Sequence, residues 1–245
     1  MKNAILIAAA VGLAAALPQP GAPLTRRGGT RPPHHSAPRR NTTYPEYSSN
    51  WAGAVQIGTG FTFVTGTITV PSVYNGNPYS AASAWVGIDG DTCQTAILQT
   101  GVSFYGDGSY DAWYEWIPDY SYSFSGFGLR AGDEIRMTVD ATSKTTGVAT
   151  LENLSTGAKV SHTFRNTPST LCETNAEWIV EDFESGGSLV PFADFGTVTF
   201  TDAYATGSGG QVTPQGATII DIRQSGRVLT NCGTSGADLT CTYTG

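Results

Sequence analysis

Histidine is almost missing from this chain. Of three in 245 residues, His34 and His35 lie near the N-terminus. The third, His162, sits in Lys159-Val-Ser-His-Thr-Phe, an ordinary alternating strand. A serine or cysteine nucleophile needs a base beside it, usually histidine, so that chemistry has no candidate here. Asp-Thr-Gly and Asp-Ser-Gly are also absent, which argues against a two-lobed aspartic protease. The cysteine spacings match no zinc pattern. Charge is thin, 13% against a usual share of roughly a quarter. Helical periodicity is nearly absent too. Beyond residue 17 no apolar run is long enough to span a bilayer.

What is present divides the chain. Lys2 precedes an apolar stretch from Ala4 to Leu17, with small residues around Ala14 to Ala16, the pattern of a signal peptide. We expect residues 1–18 to be that signal and the product to be secreted. Residues 19–45 are rich in Pro, Arg, Gly and His and hold nothing from which a core could form. The segment 1–45 carries six of the 13 basic residues and no acid. Residues 46–245 therefore set seven bases against all 20 acids, a formal −13. The split predicts a basic propeptide, 19–45, held to an acidic body as its inhibitor and loosened as body carboxylates protonate. A body at −13 suits neither nucleic acid nor an anionic membrane.

Four cysteines, 93, 172, 232 and 241, all fall in the body, and an even count behind a signal argues for two disulfides. Three pairings exist. Cys232 and Cys241 flank Gly-Thr-Ser-Gly, which reads as a hairpin turn, so these are expected to pair and to leave Cys93 with Cys172. Sequons at Asn41 and Asn153 are possible glycan acceptors.

Short alternating runs fill the body: Phe61–Val70, Ser83–Ile88, Ala96–Phe104, Tyr110–Trp116, Glu134–Ala141, Val148–Leu154, Lys159–Phe164, Glu177–Phe183, Thr197–Phe200, Ala217–Ile222 and Asp238–Tyr243. About a dozen strands without helical crossovers predict a single all-β domain, 46–245, a sandwich of two packed antiparallel sheets with jelly-roll or Greek-key connections.

With nucleophile–base chemistry excluded, carboxylates and carboxamides remain. Tyr110-Asp-Ala-Trp-Tyr-Glu-Trp116 places Trp113 and Glu115 on one strand face. Asn175-Ala-Glu-Trp-Ile-Val-Glu-Asp-Phe-Glu184 places Glu177, Ile179 and Glu181 on one face. Thr95-Ala-Ile-Leu-Gln-Thr-Gly101 puts Gln99 on an otherwise apolar strand. Acids beside tryptophans suggest an aromatic-walled groove in which a carboxyl pKa is tuned. The same residues would serve a β-sandwich glycoside hydrolase using Glu115 and Glu181, or a non-catalytic carbohydrate-binding protein.

At these segments the sequence resembles the glutamic peptidases, or eqolisins, secreted acid endopeptidases of filamentous fungi. The stretches that carry the likeness are Tyr47-Ser-Ser-Asn-Trp-Ala-Gly-Ala-Val55, Ala84-Trp-Val-Gly-Ile-Asp-Gly-Asp-Thr-Cys93, Ala96-Ile-Leu-Gln-Thr-Gly-Val102, Tyr110–Trp116 and Asn175–Phe183. The resemblance implies two seven-stranded sheets of lectin-like jelly-roll form, polypeptide substrates and no cofactor or metal. It implies a catalytic pair, Gln99 and Glu181, with Trp85, Asp89, Trp113 and Glu115 lining or supporting the cleft. Glu177 is the rival for Glu181. Glu181 is expected to ionise in acid. Many relatives have aspartate where this chain has Ser103, and some carry an excised insert before the Ala-Trp-Val-Gly strand. Here Tyr74–Tyr79 is short and cysteine-free, so a single-chain, monomeric mature enzyme is expected.

Overall fold

A computed structural model describes residues 34–39, 46–73 and 77–245. The expected signal peptide, most of the basic leader and the Asn41 sequon lie outside the described residues. Among the described residues there is no helix, and no helix long and apolar enough to cross a membrane.

Two large antiparallel sheets pack face to face. One has nine strands. Its spatial order is Arg227–Val228, Thr218–Gln224, Trp51–Ile57, Asn175–Glu181, Ala81–Ile88, Ile97–Tyr105, Tyr110–Ile117, Tyr122–Ser123, with Tyr47–Ser48 added in parallel beside Thr218–Gln224. The other has eight. Its order is Ala158–Phe164, Thr146–Asn153, Glu134–Ser143, Phe63–Thr69, Thr197–Gly207, Asp238–Tyr243, Thr230–Ser235, with Gly210–Val212 paired to Thr197–Gly207. Neighbours in space are often distant in sequence, as when Asn175–Glu181 inserts between Trp51–Ile57 and Ala81–Ile88. A third, three-stranded sheet joins His34–His35, Glu184–Ser185 and Ser188–Leu189.

The fold class is the one expected, with more strands per sheet than seven. The strand Trp51–Ile57 has no place among the alternating runs, because all of Trp51–Val55 is buried and alternation needs one wet face. The run Glu177–Phe183 begins two residues earlier, at Asn175, and ends at Glu181.

Alternation decides which side chains meet between the sheets. Ala54, Ala84, Val86, Leu98, Val102, Trp116, Trp178 and Val180 of the nine-stranded sheet pack on Val64, Ile68, Ile135, Met137, Val139, Leu151 and Phe200 of the other. Each large apolar side chain removed from water contributes roughly 1.5–3 kcal/mol before entropy is charged. Trp178 also donates its indole N–H to the Thr65 carbonyl at 2.8 Å, a polar tie between the sheets. The alternate positions of the nine-stranded sheet, Trp51, Val55, Trp85, Ile97, Trp113, Ile117, Ile179 and Ile220, form a second apolar cluster on its other face. That face carries the site.

Candidate active site

Strand register lays the polar residues of this face out in rows. Glu177 lies opposite Gly87, Gly87 opposite Gln99, and Gln99 opposite Glu115. One row on, Ile179 is opposite Trp85, Trp85 opposite Gly101, and Gly101 opposite Trp113. Glu181 lies opposite Ser83, which in turn lies opposite Ser103. Gln99, Glu115, Glu177 and Glu181 are all fully buried.

The indole of Trp85 must lie low over this surface, and the two glycines permit it. A Cβ on Gly101 would stand 2.5 Å from the Trp85 Cβ, and one on Gly87 2.9 Å from its Cζ3. So placed, Trp85 donates Nε1–H to Glu181 Oε2 at 2.8 Å. Gln99 donates Nε2–H to Glu115 Oε2 at 2.8 Å, which fixes the carboxamide. Its Oε1 has no partner among the described residues, nor do the Ser83 and Ser103 hydroxyls or the Trp113 N–H. Buried polar groups left without partners are costly, and their concentration on one face marks a cleft built for something else.

Residues 34–39 lie over this face. His34–His35 pairs with Glu184–Ser185. The His34 ring is buried 4.6 Å from Trp113 and 4.1 Å from Phe183. His35 Nδ1 is 3.1 Å from Glu115 Oε1. Ser36 Oγ donates to Glu181 Oε2 at 2.8 Å, and the Ala37 N–H donates to Glu181 Oε1 at 3.3 Å. Asn50 Nδ2 reaches the Ala37 carbonyl at 3.2 Å and Glu181 Oε1 at 3.5 Å. The Arg39 guanidinium pairs with Asp91 at 2.8 Å and with Glu46.

Burial sets the protonation. It pushes the Glu181 carboxyl up to about 8, although the donors Ser36, Ala37 and Trp85 pull the other way. It pushes Glu115 up to about 7 against the opposing contacts of His35, Ser36 and Gln99. Glu177 lies well above its usual value, because it is desolvated and faces Asp89 and Asp91, and neither of its oxygens has a partner among the described residues. The expectation that Glu181 ionises in acid therefore does not hold with the cleft covered. Water is excluded, and dehydration of the charge outweighs three donors.

The motif of the Peptidase A4 family matches residues 49–243. The chain belongs to that family. It is 60% identical over 225 residues to aspergillopepsin-2 of Aspergillus niger, covering 82% of this chain and 80% of that one. It is 53% identical over 203 residues to scytalidopepsin B of Scytalidium lignicola, covering 80% and 78%. The crystal structure of scytalido-glutamic peptidase with a transition-state analogue inhibitor superposes at a TM-score of 0.77, with 50% identity, over 80% of this chain and 98% of that one. Aspergilloglutamic peptidase from Aspergillus niger gives 0.65 and 63% identity, over 67% of this chain and 99% of that one. The protein is accordingly a hydrolase of the eqolisin type, an acid endopeptidase of the glutamic peptidase class on a β-sandwich.

In this eqolisin Asp89 stands behind the cleft rather than in it. Held at φ 69°, it accepts backbone N–H groups of Cys172, Glu173, Thr174 and Asn175 at 2.7–3.2 Å. It thus fixes the entry to the strand that bears Glu177 and Glu181. Cys93–Cys172 ties the same entry to the loop after Ala81–Ile88, and Cys232–Cys241 joins two paired strands of the other sheet. Asn153 needs correction as a glycan acceptor. It is fully buried, and its Nδ2 donates to Asp133 Oδ2 at 2.9 Å, so a glycan on that nitrogen does not fit the folded chain. Two parts of the site escaped sequence reasoning. Asn50 lay unremarked inside the Tyr47–Val55 stretch, and residues 34–39 were read only as part of a propeptide held by charge, without their contacts to Glu115 and Glu181.

Proposed function

We propose that Gln99 and Glu181 are the catalytic pair of this peptidase, acting on polypeptides in acid. The carrying observation is that Glu181 is the carboxyl on which Trp85, Asn50 and a peptide N–H all converge. Glu177 has no such company. Once the cleft admits water, the cause that raises the Glu181 pKa is relieved, and Trp85 and Asn50, which stay when residues 34–39 leave, favour the carboxylate. Ionised Glu181 takes a proton from a water as that water attacks the scissile carbonyl carbon. The second Nε2–H of Gln99, aimed by the bond to Glu115, stabilises the developing oxyanion, a contribution of about 3 kcal/mol for one such donor. Glu181 then passes its proton to the leaving amine. Trp85 and Glu115 act as positioning residues, and Trp113 as a wall.

The reading is tested by digesting an acid-denatured protein at pH 3 with the acid-treated chain and its variants. Glu181→Gln should lower kcat at least ~10³-fold, and Gln99→Ala ~10²–10³-fold, with unchanged circular dichroism. Retained turnover in Gln99→Ala would remove the dyad. Chelators should have no effect.

The same reading covers the leader. Residues 1–18 direct secretion, 19–45 are a propeptide, and 46–245 act as a monomer after its loss. Residues 34–39 inhibit by covering the carboxyls. His34, facing Trp113, Phe183, Ser121 and His35, is buried neutral, and burial pulls its pKa down to about 3. A depressed histidine contributes docking that is complete above about 6.5 and is lost as pH falls toward 3. Arg39 faces Asp91 and Glu46, and burial raises the Asp91 carboxyl, so protonation of this carboxyl favours the docked segment as pH falls. Glu115 and Glu181, raised by burial beneath the segment, also favour docking as pH falls, so release in acid rests on His34. His35 opposes release as well. Hydrogen bonded to Glu115, with Glu181 and Glu184 nearby, it is raised and stays charged in acid. A peptide of residues 32–45 should inhibit near pH 6.5 and fail at pH 3. Equal inhibition at both would break the release argument.

A further inference from the structure

The way residues 34–39 lie in the cleft says more than that they block it. Ser36 sits between the two glutamates, its N–H turned toward Glu115 and its hydroxyl on Glu181 Oε2. The next N–H, that of Ala37, is on Glu181 Oε1. Before them His34 and His35 add to a small sheet, and after them the Ala37 carbonyl is held by Asn50. The Arg39 N–H is held by the Gly90 carbonyl at 3.2 Å, and its carbonyl by Gln94 Nε2 at 3.2 Å. The cleft thus grips backbone on both sides of one amide, Ser36–Ala37.

No other bond of the segment is so placed. The nitrogen of His35–Ser36 faces Glu115, that of Ala37–Pro38 carries no proton, and that of Pro38–Arg39 is turned to Gly90. Only Ser36–Ala37 puts its nitrogen against the carboxyl that would protonate a leaving amine. The Ser36 hydroxyl meanwhile occupies the other oxygen of that carboxyl, where an attacking water would have to bind. An alcohol held there by a hydrogen bond is a poor substitute for water, because it belongs to the residue whose carbonyl it would have to attack.

We propose that Ser36–Ala37 is a processing site of this chain, cut in cis by its own Glu181, and kept intact while the Ser36 hydroxyl fills the place of the hydrolytic water. This rests on the Gln99–Glu181 reading above. When the hydroxyl swings out, water enters and hydrates Glu181, which releases its proton to solvent. The oxygen of one water bonds to the Ser36 carbonyl carbon while a proton of that water goes to the Glu181 carboxylate. The tetrahedral adduct breaks its C–N bond, and the proton passes from Glu181 to the Ala37 nitrogen. A carboxylic acid remains on Ser36 and a free amine on Ala37. Trimming of 37–45 would follow from the freed end.

The test uses the full secreted chain, purified near pH 7, brought to pH 3.5 and quenched over a time course for intact mass and N-terminal sequencing. The earliest new N-terminus should be Ala37, formed at a rate independent of protein concentration. Ser36→Gly should raise that initial rate about tenfold, the upper worth of one ordinary hydrogen bond. An earliest terminus elsewhere with Ser36–Ala37 intact overturns the site, and an unchanged or slower rate in Ser36→Gly overturns the role of the hydroxyl. A rate that rises with concentration overturns cleavage in cis. Wild-type chain that digests added denatured protein yet never yields an Ala37 terminus sinks this inference alone. An Ala37 terminus from Glu181→Gln would sink it together with the dyad.

Discussion

The two sheets share a core but treat their outer faces differently. Along Glu134–Ser143 and Thr146–Asn153 of the eight-stranded sheet, buried residues alternate with exposed or half-exposed ones. Along Ala81–Ile88 and Asn175–Glu181 of the nine-stranded sheet, every residue is buried. One outer face is wet and carries threonines and paired charges such as Lys159 and Glu152 at 3.2 Å. The other is covered, and on it carboxyls lie far from their usual protonation. The first is cheap to make and chemically inert. The second costs stability, and the cost concentrates where the chemistry is.

Disulfides give the largest means of breaking that comparison. Cys93–Cys172 spans 79 residues and braces the covered sheet, whereas Cys232–Cys241 spans nine within the other. Replacing the first pair by serine should cost about 4.5 kcal/mol by loop entropy and the second about 2.5 kcal/mol. Urea unfolding of the two variants checks the order. Loss of activity should accompany the first only. An equal cost would mean that the sheets are braced alike.

Next is Gly101→Ala, which should destabilise by ~1–3 kcal/mol and displace Trp85, because the new Cβ meets Ala84 O at 2.4 Å as well as the indole stem. Tryptophan fluorescence and kcat should change together. Loss of stability with an undisturbed kcat would separate Trp85 from Glu181.

The pH dependence of stability is a smaller effect with a definite sign. Glu115, Glu177, Glu181 and Asp182 are all raised in the folded chain, two of them to about 7 and Glu181 to about 8. Their contribution is complete below about 3.8, the ordinary value of Asp182, and is lost as pH rises, through about 7 for Glu115 and Asp182 and about 8 for Glu181. The full chain should melt at a lower temperature at pH 7.5 than at pH 4. Glu177→Gln should recover ~1 kcal/mol or more at pH 7.5 and little at pH 4, since it replaces an unpartnered buried acid by a neutral isostere. Recovery that is equal at both pH values would show that packing, not protonation, set the change. Smallest of all, Lys159→Gln on the wet face should shift stability by less than about 0.5 kcal/mol at any pH. A larger shift would make the two faces less different than their burial indicates.

Much of the fold was legible because one sheet has a wet face. Glu134–Ala141 and Val148–Leu154 read as strands from alternation alone. Trp51–Ile57 did not, since a strand covered on both faces loses its period. The parity that put Glu177, Ile179 and Glu181 on one side was readable. The choice of Glu181 over Glu177 came from the family resemblance and not from the pattern, because both are the same residue on the same face and differ only in what other strands bring to them. The Glu181 protonation ran opposite to expectation because residues 145 and 144 positions away, Ser36 and Ala37, exclude water from it.

Sequence by itself determined the strand class, the four body cysteines, the basic leader against an acidic body, and the lack of any base but a carboxylate. These are properties of composition and short-range period. Tertiary structure alone decided that Trp85 and Asn50 point at Glu181, that Gln99 is aimed by Glu115, and that Ser36 lies on the carboxyl. Each of those depends on the register of strands far apart in the chain, and on how completely water is shut out where they meet.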